Sequence, residues 1–512
     1  MNTRKIQYFL ISIGIFCLVI SLTITPDFIK GSLSSFYQSN QISIDQVHIF
    51  QIKLAAMGCL YLLLAIGFYL NQNSFRLLQE KLNNLPLKSI FIGIVIIFCI
   101  FPLFVNFLVF DPPKMTQDAA VFEHAGWFMT QGAKPYLDFW DPKPPLVFET
   151  TLLLAFFAQG NVYLIHLFSV LLTSCAIIGI LLLTESINFH LTENRLASVL
   201  GALVLLTVPG FYTLASRGFH PKYLMILCGL AAIYLQIKKR KPFLSGALAA
   251  ASTTFWLPGG VFLLITLGLS AQKTRYKVLL STILGITITG LLILVPIFIW
   301  GVFEPMLVEV IFVPFTVSET QTVMDRIIRL ISDLGIWGLL PVALGLIGIF
   351  IPLKDQQSYR TSWWIIAGGV WFGFQILLID YDHFPDMFVF LLFCSLGMCF
   401  FLDWTIVQKK SSPILILAAL LILIPVLFKG FNWGFQEIVF KPDRISLAAQ
   451  EDRPEGYDEA PEIVRIFWNK ELPEKCHYRL SPMEVQWMEI SGQTGNEQVC
   501  GQIDIIDWWF DR

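Results

Sequence analysis

The sequence has few charged residues for its length. Only 14% of its 512 residues are Asp, Glu, Lys or Arg, whereas soluble domains carry about 25%. Hydrophobic residues make up 55% of the chain, and the mean hydropathy is +0.67. This shortage of charge excludes a soluble globular enzyme and indicates a chain that lies largely within a lipid bilayer.

Several signatures of cofactor and nucleic-acid binding are also absent. The sequence has no Cys/His spacing typical of a zinc site, no glycine-rich phosphate loop and no internal repeat. It has no stripe of basic residues of the kind that nucleic acid requires, so we predict no nucleic-acid partner. Among the cysteines, only Cys476 and Cys500 lie in polar sequence, and a disulfide between them is predicted if they face an oxidising compartment.

Long apolar runs recur from residue 7 to residue 429. A membrane-spanning helix needs about 20 mostly apolar residues. The sequence therefore predicts an all-α polytopic membrane protein with about eleven crossing helices. The predicted spans are residues 7–25, 49–70, 89–110, 161–184, 196–214, 222–237, 278–300, 331–351, 362–379, 386–405 and 413–429.

The distribution of Lys and Arg between the spans predicts the orientation. Cytoplasmic loops carry an excess of these residues, and the strongest basic cluster is residues 238–241. With this cluster in the cytoplasm, most other basic loops lie on the same side and the N-terminus is cytoplasmic, as expected for an integral protein of the plasma membrane. The loop of residues 111–145, the C-terminal tail and the loop of residues 301–330, which we interpret as a lid, then lie on the exoplasmic side.

Two apolar segments are predicted not to cross. Residues 146–158 are too short to span a hydrocarbon core of about 30 Å, and they include Glu149. Residues 243–271 have basic residues at both ends and are interrupted by Leu-Pro-Gly-Gly at residues 257–260. A re-entrant hairpin of two half-helices keeps both basic flanks on one side of the membrane.

Charge divides the chain into a membrane domain and an acidic tail. Residues 431–512 contain eight Lys and Arg against 16 Asp and Glu, a net charge of −8, which leaves +6 for residues 1–430. We predict a membrane domain over residues 1–430 and a small exoplasmic domain over residues 431–512. The tryptophans of the tail indicate either a roof that helps to select the acceptor or a cap at the lipid headgroups.

The loop of residues 111–145 concentrates polar side chains. Within it, residues 116–136 (TQDAAVFEHAGWFMTQGAKPY) predict an amphipathic helix that begins at Asp118 and rests on the membrane surface. The sequence DFWDPKPPL follows, and the many prolines of the loop predict a rigid backbone. The charged residues and the histidine of the loop are Asp111, Asp118, Glu123, His124, Lys134, Asp138, Asp141 and Lys143.

An acidic residue after an early span, a helix, a Gly-x-x-Pro-Tyr turn and then Lys-Pro-Pro-Leu follow one another in this loop. This order resembles the first exoplasmic loop of the GT-C superfamily of lipid-linked-sugar glycosyltransferases. It is most similar to that of the protein O-mannosyltransferases and the lipid A aminoarabinose transferases. The resemblance implies a GT-C catalytic domain over residues 1–430, with residues 111–145 as its catalytic loop. It also implies transfer of a sugar from a polyprenyl phosphate to a glycan, protein or lipid acceptor outside the membrane.

The resemblance implies roles for two residues, and the chemistry adds two more. In the family the first loop acid is the catalytic base, which corresponds to Asp118, and the lysine of Lys-Pro-Pro lies near the lipid phosphate, which corresponds to Lys143. Sugar transfer requires a base for the acceptor hydroxyl and cations for the departing phosphate. Arg217 and Lys222, in SRGFHPK at the outer end of another span, are further candidates for binding the donor phosphate. A single displacement would invert the anomeric carbon, whereas a covalent route through two carboxylates, as in retaining glycosidases, would retain its configuration.

Two features depart from the family pattern. Ala119 stands where the family often has a second acid, whose role would fall to Glu123, Asp138 or Asp141. Two spans, within residues 7–70, precede the span that is usually the first. Two extra crossings leave the catalytic loop on the same side of the membrane.

The same residues have purely structural interpretations. Asp is favoured at helix N-caps, so Asp118 is also compatible with a cap, and Lys143 is compatible with an anchor at the membrane interface. The spacing of Asp138 and Asp141 suits either a divalent metal ion, which is the one cofactor that the sequence suggests, or a solvated turn. The other predicted substrate-binding residues, which are also compatible with solvated side chains, are Glu123, His124, His220, Asp382 and His383.

A secondary transporter or lipid-linked-sugar flippase is the alternative from another class of protein. The break at residues 257–260 is typical of the discontinuous helices of transporters. The spans contain few charged residues, however, and the chain has no two equivalent halves. We therefore predict a membrane glycosyltransferase.

Overall fold

The computed structural model describes eight stretches of the chain. They are residues 86–109, 116–139, 141–208, 210–239, 241–272, 276–312, 323–349 and 384–405, with isolated helical positions at 15, 19, 368, 369, 422 and 426. Regular secondary structure in these stretches is helical. The chain divides into two units, one of Leu87–Phe401 with Leu421–Arg512 and one of Met1–Pro86 with Leu402–Leu420. The helices below lie in the first unit, apart from the last two residues of the final helix.

The described stretches contain thirteen α-helices. They are α1 (Leu87–Val109), α2 (Gln117–Thr130), α3 (Pro145–Phe157), α4 (Val162–Thr192), α5 (Arg195–Leu203), α6 (Gly210–Thr213), α7 (Pro221–Tyr234), α8 (Pro242–Phe255), α9 (Gly260–Gln272), α10 (Tyr276–Trp300), α11 (Phe303–Leu307), α12 (Val323–Ile349) and α13 (Phe388–Asp403). Short 3-10 turns occupy Val204–Thr207, Leu214–Arg217, Leu257–Gly259 and Phe384–Met387, and π turns occupy Leu235–Lys239 and Val308–Phe312.

Several of these helices have the length and apolar composition of membrane spans. Three of them, in α1, α4 and α10, coincide with the predicted spans at residues 89–110, 161–184 and 278–300. The predicted span at 196–214 is not one continuous helix, because the chain bends between Arg195–Thr207 and Gly210–Arg217. Pro209 lies at this break, where proline removes a backbone donor and prevents a continuous helix.

Other predictions fall on residues that the structure does not describe. Apart from the isolated helical positions, these are the spans at 7–25, 49–70, 362–379 and 413–429, the C-terminal domain over residues 431–512 and the disulfide between Cys476 and Cys500. They stay predictions.

The predicted hairpin of two half-helices is formed by α8 and α9. They meet at the turn Leu257–Gly259. Near this turn, Ser252 Oγ of α8 donates a hydrogen bond to the Met225 carbonyl oxygen, close to the start of α7, at 2.8 Å. At the other end, Gln236 Nε2 donates to Ser270 Oγ of α9 at 2.7 Å. The turn therefore lies where α7 begins, which we call the loop end of the bundle, and both ends of the hairpin lie where α7 finishes.

Glycines allow neighbouring helices to pack closely. A Cβ added at Gly246 of α8 would lie 2.1 Å from the Thr282 carbonyl oxygen of α10, and one added at Gly285 would lie 2.0 Å from the Phe243 carbonyl oxygen. Close approach of backbones at small residues is typical of helix pairs in membranes. The hairpin is therefore held to α10 along a face that admits no larger side chains.

Replacing Gly285 by Ala is expected to destabilise the protein, because the added Cβ would meet a backbone oxygen of α8. Gly290 lies further along α10, and nothing lies within 4 Å of a Cβ added there. Ala is favoured over Gly inside helices by about 1 kcal/mol, so Gly290→Ala is expected to keep or raise the midpoint of thermal unfolding. Thermal unfolding of both variants in detergent measures the difference, and equal midpoints would contradict the close packing.

Candidate active site

The helix of the first loop, α2, is capped by Thr116. Thr116 Oγ1 accepts a hydrogen bond from the Ala119 backbone N–H at 3.2 Å. Asp118 lies in the first turn of α2, half-buried, and is not the capping residue. The interpretation of Asp118 as the N-cap is therefore wrong. A carboxylate in a first turn is stabilised by the partial positive charge of the helix N-terminus.

The prediction that α2 rests on the membrane surface as an amphipathic helix is wrong. Much of the helix is covered by protein, with exposures of 0–2% from Val121 to Ala125. A Cβ added at Gly126 would lie 2.4 Å from the Thr151 carbonyl oxygen of α3, so the two helices are in close contact. Trp127 packs against a cluster of small and aliphatic side chains from α3 and α4 and the turn between them.

Glu123 connects α2 to two other segments. Its side chain has 0% exposure, which excludes the interpretation as a solvated helix residue. The Phe219 backbone N–H donates to Oε1 at 2.9 Å, and His166 Nδ1 of α4 donates to Oε2 at 3.0 Å. A buried carboxylate is costly unless it is hydrogen bonded, and here both oxygens have partners. Glu123 thus joins α2, α4 and the SRGFHPK segment.

Sequence reasoning does not identify His166. It lies within an apolar span, 43 residues from Glu123, and no local pattern connects the two. The available signal is the general one that ionisable residues are rare in spans and tend to be functional there.

His124, the neighbouring histidine, lies in an aromatic environment. It is 0% exposed, so the solvated interpretation is wrong here too. Burial lowers the pKa of His124 to about 3, which keeps the ring neutral. The ring centroids of Trp127 and Phe128 lie 5.4 and 5.9 Å away. These contacts give His124 a packing role.

The SRGFHPK segment, residues 216–222, lies against the start of α2. The Thr116 backbone N–H donates to the Arg217 carbonyl oxygen at 3.0 Å, and Thr116 Oγ1 is hydrogen bonded to His220 Nε2 at 3.1 Å. Gly218 has a φ of +118°, and a Cβ there would lie 2.4 Å from Ala119 Cβ. The segment therefore requires glycine at this position to approach α2.

The electrostatics of His220 show which charges surround it. Burial lowers the pKa of His220 to about 4, so the ring is neutral at pH 7. The positive charges of Lys222 and Arg217 also lower this pKa, whereas the negative charges of Asp118 and Glu123 raise it. All four charges are therefore close enough to act on His220. The structure brings these predicted site residues together at the loop end.

Lys222 has two further contacts that extend this cluster. It forms an ion pair with the buried Asp386 in the turn Phe384–Met387. Its Nζ also lies 4.3 Å from the centroid of the Trp256 ring, at the turn of the α8–α9 hairpin. The predicted Asp382 and His383 lie outside the described residues, so their place relative to Lys222 stays a prediction.

The Lys-Pro-Pro loop forms a second cluster. Asp141 Oδ1 accepts hydrogen bonds from the Lys143 backbone N–H at 3.1 Å and from Lys143 Nζ at 3.3 Å. Tyr136, at a φ of +65°, donates from its hydroxyl to the Lys143 carbonyl oxygen at 2.7 Å. These contacts fix the lysine backbone from both sides.

The two candidate metal ligands in this loop have different environments. Asp138 is exposed and accepts a hydrogen bond from the Lys134 backbone N–H at 2.7 Å, as in a turn. Asp141 is buried and paired with Lys143. In the part of the chain that the structure describes, no group of three or more His, Cys, Asp or Glu residues is arranged to hold a metal ion.

Phe122 of α2 lies between the two clusters. Lys143 Nζ is 5.8 Å from the centroid of its ring, and the Phe219 ring meets it edge to face with the centroids 6.1 Å apart. Phe122 therefore lies between Lys143 and the SRGFHPK segment, and the half-buried Asp118 is on the same helix one turn earlier.

Comparisons with known proteins first give the class. The fold is similar to the crystal structure of ArnT from Cupriavidus metallidurans bound to undecaprenyl phosphate, with a TM-score of 0.50 and 14% identity over 75% of this chain and 82% of that chain. The chain therefore shares the helical fold of that protein.

The sequence comparisons give the family. A profile described as DolP-mannose mannosyltransferase matches residues 132–295. The chain is also 31% identical over 421 residues to the dolichol phosphate-mannose mannosyltransferase of Haloferax volcanii, which covers 76% of this chain and 91% of that relative. The chain therefore belongs to the dolichol phosphate-mannose mannosyltransferase family and is a membrane glycosyltransferase. This confirms the predicted superfamily and enzyme class, and it sets the transporter alternative aside.

Replacing Glu123 by Leu is expected to destabilise the site by about 1–3 kcal/mol, because the Phe219 N–H and His166 would lose a buried acceptor. Glu123→Gln is expected to retain most of the stability, since its amide oxygen can accept from Phe219 and its amide group can donate to the other tautomer of His166. Thermal unfolding and sugar transfer, measured on both variants, check this expectation. Equal loss of transfer in Gln and Leu variants that unfold like the wild type would contradict a positioning role.

Proposed function

We propose that the protein transfers mannose from a dolichyl phosphate, or a similar polyprenyl phosphate, to an acceptor on the exoplasmic side, with Asp118 as general base. The observation that carries this proposal is the contact between the start of α2, which holds Asp118, and the SRGFHPK segment, which holds Arg217 and Lys222, through hydrogen bonds of Thr116 to Arg217 and His220. The donor is supported by the name of the Haloferax relative, and the lipid phosphate is supported by undecaprenyl phosphate in the ArnT structure. The acceptor is a glycan, a protein or a lipid.

The chemistry follows from the charges. Asp118 takes the proton of the acceptor hydroxyl as its oxygen attacks C1 of the sugar, and the bond from C1 to the phosphate oxygen breaks. The electron pair of that bond leaves with the lipid phosphate, where Lys143, Arg217 and Lys222 stabilise the added charge. This single displacement inverts the anomeric carbon. Neutral His220 contributes no charge of its own and fixes the backbone beside Arg217 through Thr116.

The two lysines reach the donor from prepared positions. Lys143 is paired with Asp141, and Lys222 with Asp386, so each ammonium group is oriented by a carboxylate. Orientation before the donor arrives lowers the reorganisation that catalysis requires. A phosphate that approaches either lysine adds a second anionic partner to an ammonium group that has three donors.

The sidedness of the site is supported by the charges at the two ends of α7. The candidate site lies at the loop end, next to Lys222, whereas Lys238 and Lys241 lie at the opposite end. Because basic residues concentrate on the cytoplasmic side of membrane proteins, the loop end faces the exoplasm in this proposal. The N-terminus is then cytoplasmic, and the predicted C-terminal domain over residues 431–512 is exoplasmic.

Asp118→Asn is expected to lower sugar transfer by a factor of about 10² or more while donor binding is retained, because the amide keeps the size of the side chain and removes the base. The measurement is transfer of radiolabelled sugar from a panel of polyprenyl-phosphate sugars, including dolichyl phosphate mannose, in membranes with matched expression. Wild-type transfer from none of these donors would contradict the proposed function.

A control separates the base from a helix-terminal charge. Asp325 is likewise an acid in the first turn of a helix, α12, where it is exposed. Asp325→Asn is expected to leave transfer within about twofold of the wild type, as surface changes usually have small effects. If Asp118→Asn transferred as well as Asp325→Asn, Asp118 would not be the base.

A further inference from the structure

Two further acidic residues lie beside the Lys143 loop, and the proposed mechanism does not use them. Glu309 belongs to the π turn Val308–Phe312, which follows α11, and is 4% exposed. Glu149 belongs to α3. From the sequence alone, the loop that contains Glu309 is interpreted as a lid. Glu149 is noted only as a charged residue in a segment that is too short to cross the membrane. The structure places both residues among the side chains that surround Tyr136.

Each of these acids has a buried oxygen without a hydrogen-bond partner. The atoms are Glu309 Oε2 and Glu149 Oε1. The Asp141 backbone N–H lies within hydrogen-bonding reach of the Glu309 carboxyl group, so that group is directed toward the Lys143 loop. Buried polar atoms are almost always satisfied, because the loss of water is otherwise uncompensated. Two such atoms on separate elements beside one loop indicate a ligand that supplies the missing partners.

The charges around Tyr136 show that these groups share one region. Burial raises the pKa of Tyr136 well above its ordinary value, and the charges of Glu309, Asp141 and Glu149 raise it further. Tyr136 itself is hydrogen bonded to the Lys143 carbonyl oxygen. Glu149 also lies in the first turns of α3, six residues after Lys143, and the Glu309 carboxyl group lies near the Asp141 backbone, so both acids are neighbours of the loop that carries this lysine.

The raised pKa values of the two acids suit a neutral polar ligand. Burial raises the pKa of Glu149 to about 7, and burial together with the charge of Asp141 raises the pKa of Glu309 well above its ordinary value. A protonated carboxyl group both donates and accepts hydrogen bonds, as a sugar hydroxyl does. It also avoids the repulsion that a carboxylate would exert on a nearby phosphate.

We propose that Glu309 and Glu149 form the subsite that binds the hydroxyl groups of the donor sugar while Lys143 binds the phosphate. The proposal rests on the proposed function, since the position of the phosphate sets that of the sugar. In a sugar phosphate a single oxygen separates phosphorus from C1, so the sugar ring must lie directly beside the phosphate ligands. The unpartnered oxygens of Glu309 and Glu149 can select among sugars, because a site built for hydroxyl groups discriminates strongly against ligands that lack them.

The test compares dolichyl phosphate mannose with dolichyl phosphate, which has the same lipid and a phosphate group but no sugar. The KM for dolichyl phosphate mannose depends on both the phosphate and the sugar contacts, whereas the inhibition constant for dolichyl phosphate depends on the phosphate contacts alone. Glu309→Leu is expected to raise the KM by about tenfold, the effect of losing hydrogen bonds worth about 1.4 kcal/mol. The inhibition constant for dolichyl phosphate is expected to stay within about twofold. Glu149→Gln is also expected to raise the ratio of the KM for dolichyl phosphate mannose to the inhibition constant for dolichyl phosphate.

A matched control uses Glu304, an exposed acid in the neighbouring helix α11. Glu304→Leu is expected to change neither constant. If Glu309→Leu cannot be recovered folded, the same ratio is measured with Glu309→Gln, for which a smaller rise of the KM alone, about threefold, is expected because the amide still offers hydrogen bonds.

Three results would overturn the subsite. The first is a wild-type ratio in the Glu309 and Glu149 variants, and the second is an equal rise of both constants, which marks a structural role. The third is a dependence on metal. If EDTA abolished transfer, and Mg²⁺ restored it in the wild type but not in these variants, the two acids would be metal ligands. Absence of wild-type transfer from any polyprenyl-phosphate sugar would contradict the proposed function itself, so the two failures are distinguishable.

Discussion

The buried carboxylate of Glu123 is the interaction on which the candidate site depends. It has no exposure to water, and it accepts hydrogen bonds from the SRGFHPK backbone and from His166 of α4. Separating these segments would leave a charge buried without partners, which costs several kcal/mol. The start of α2 is therefore held beside the turn that carries Arg217, so Asp118, the proposed base, and the cations keep their relative positions before any substrate binds. Such preorganisation is a principal source of catalysis in polar sites.

The site combines fixed and paired charges. Asp118 lies in the first turn of α2, and each lysine assigned to the phosphate is held by an acid of its own, Lys143 by Asp141 and Lys222 by Asp386. Because Phe122 separates the Lys143 loop from Phe219, the two groups of cations flank an apolar strip of α2. A lipid phosphate that carries a sugar fits this arrangement, since its charge and its hydroxyl groups need different neighbours.

Much of the fold could be predicted because bilayer thickness fixes the length of apolar runs. This is why the spans at 89–110 and 278–300 coincide with helices and why the break near Pro258 appears as a turn. Contacts distant in the sequence could not be predicted. The apolar residues of α2 suggest that it lies on the membrane surface, but α3 covers them. No local pattern predicts the contact of Glu123 with His166, or that of Lys222 with Asp386, which lies 164 residues away in the sequence. Asp118 and Lys143 are identified through the resemblance of their loop, and their roles stay predictions.

The central claim is that the loop end binds the lipid phosphate between Lys143 and the cations beside Asp118. An electron cryomicroscopy structure of the full chain with dolichyl phosphate mannose, determined with Asp118→Asn to prevent turnover, tests it most directly. The account predicts a phosphate oxygen within about 3 Å of Lys143 Nζ and the residue 118 side chain facing C1 from the side opposite the phosphate. A phosphate bound at the other end of the bundle, near Lys238, would contradict it.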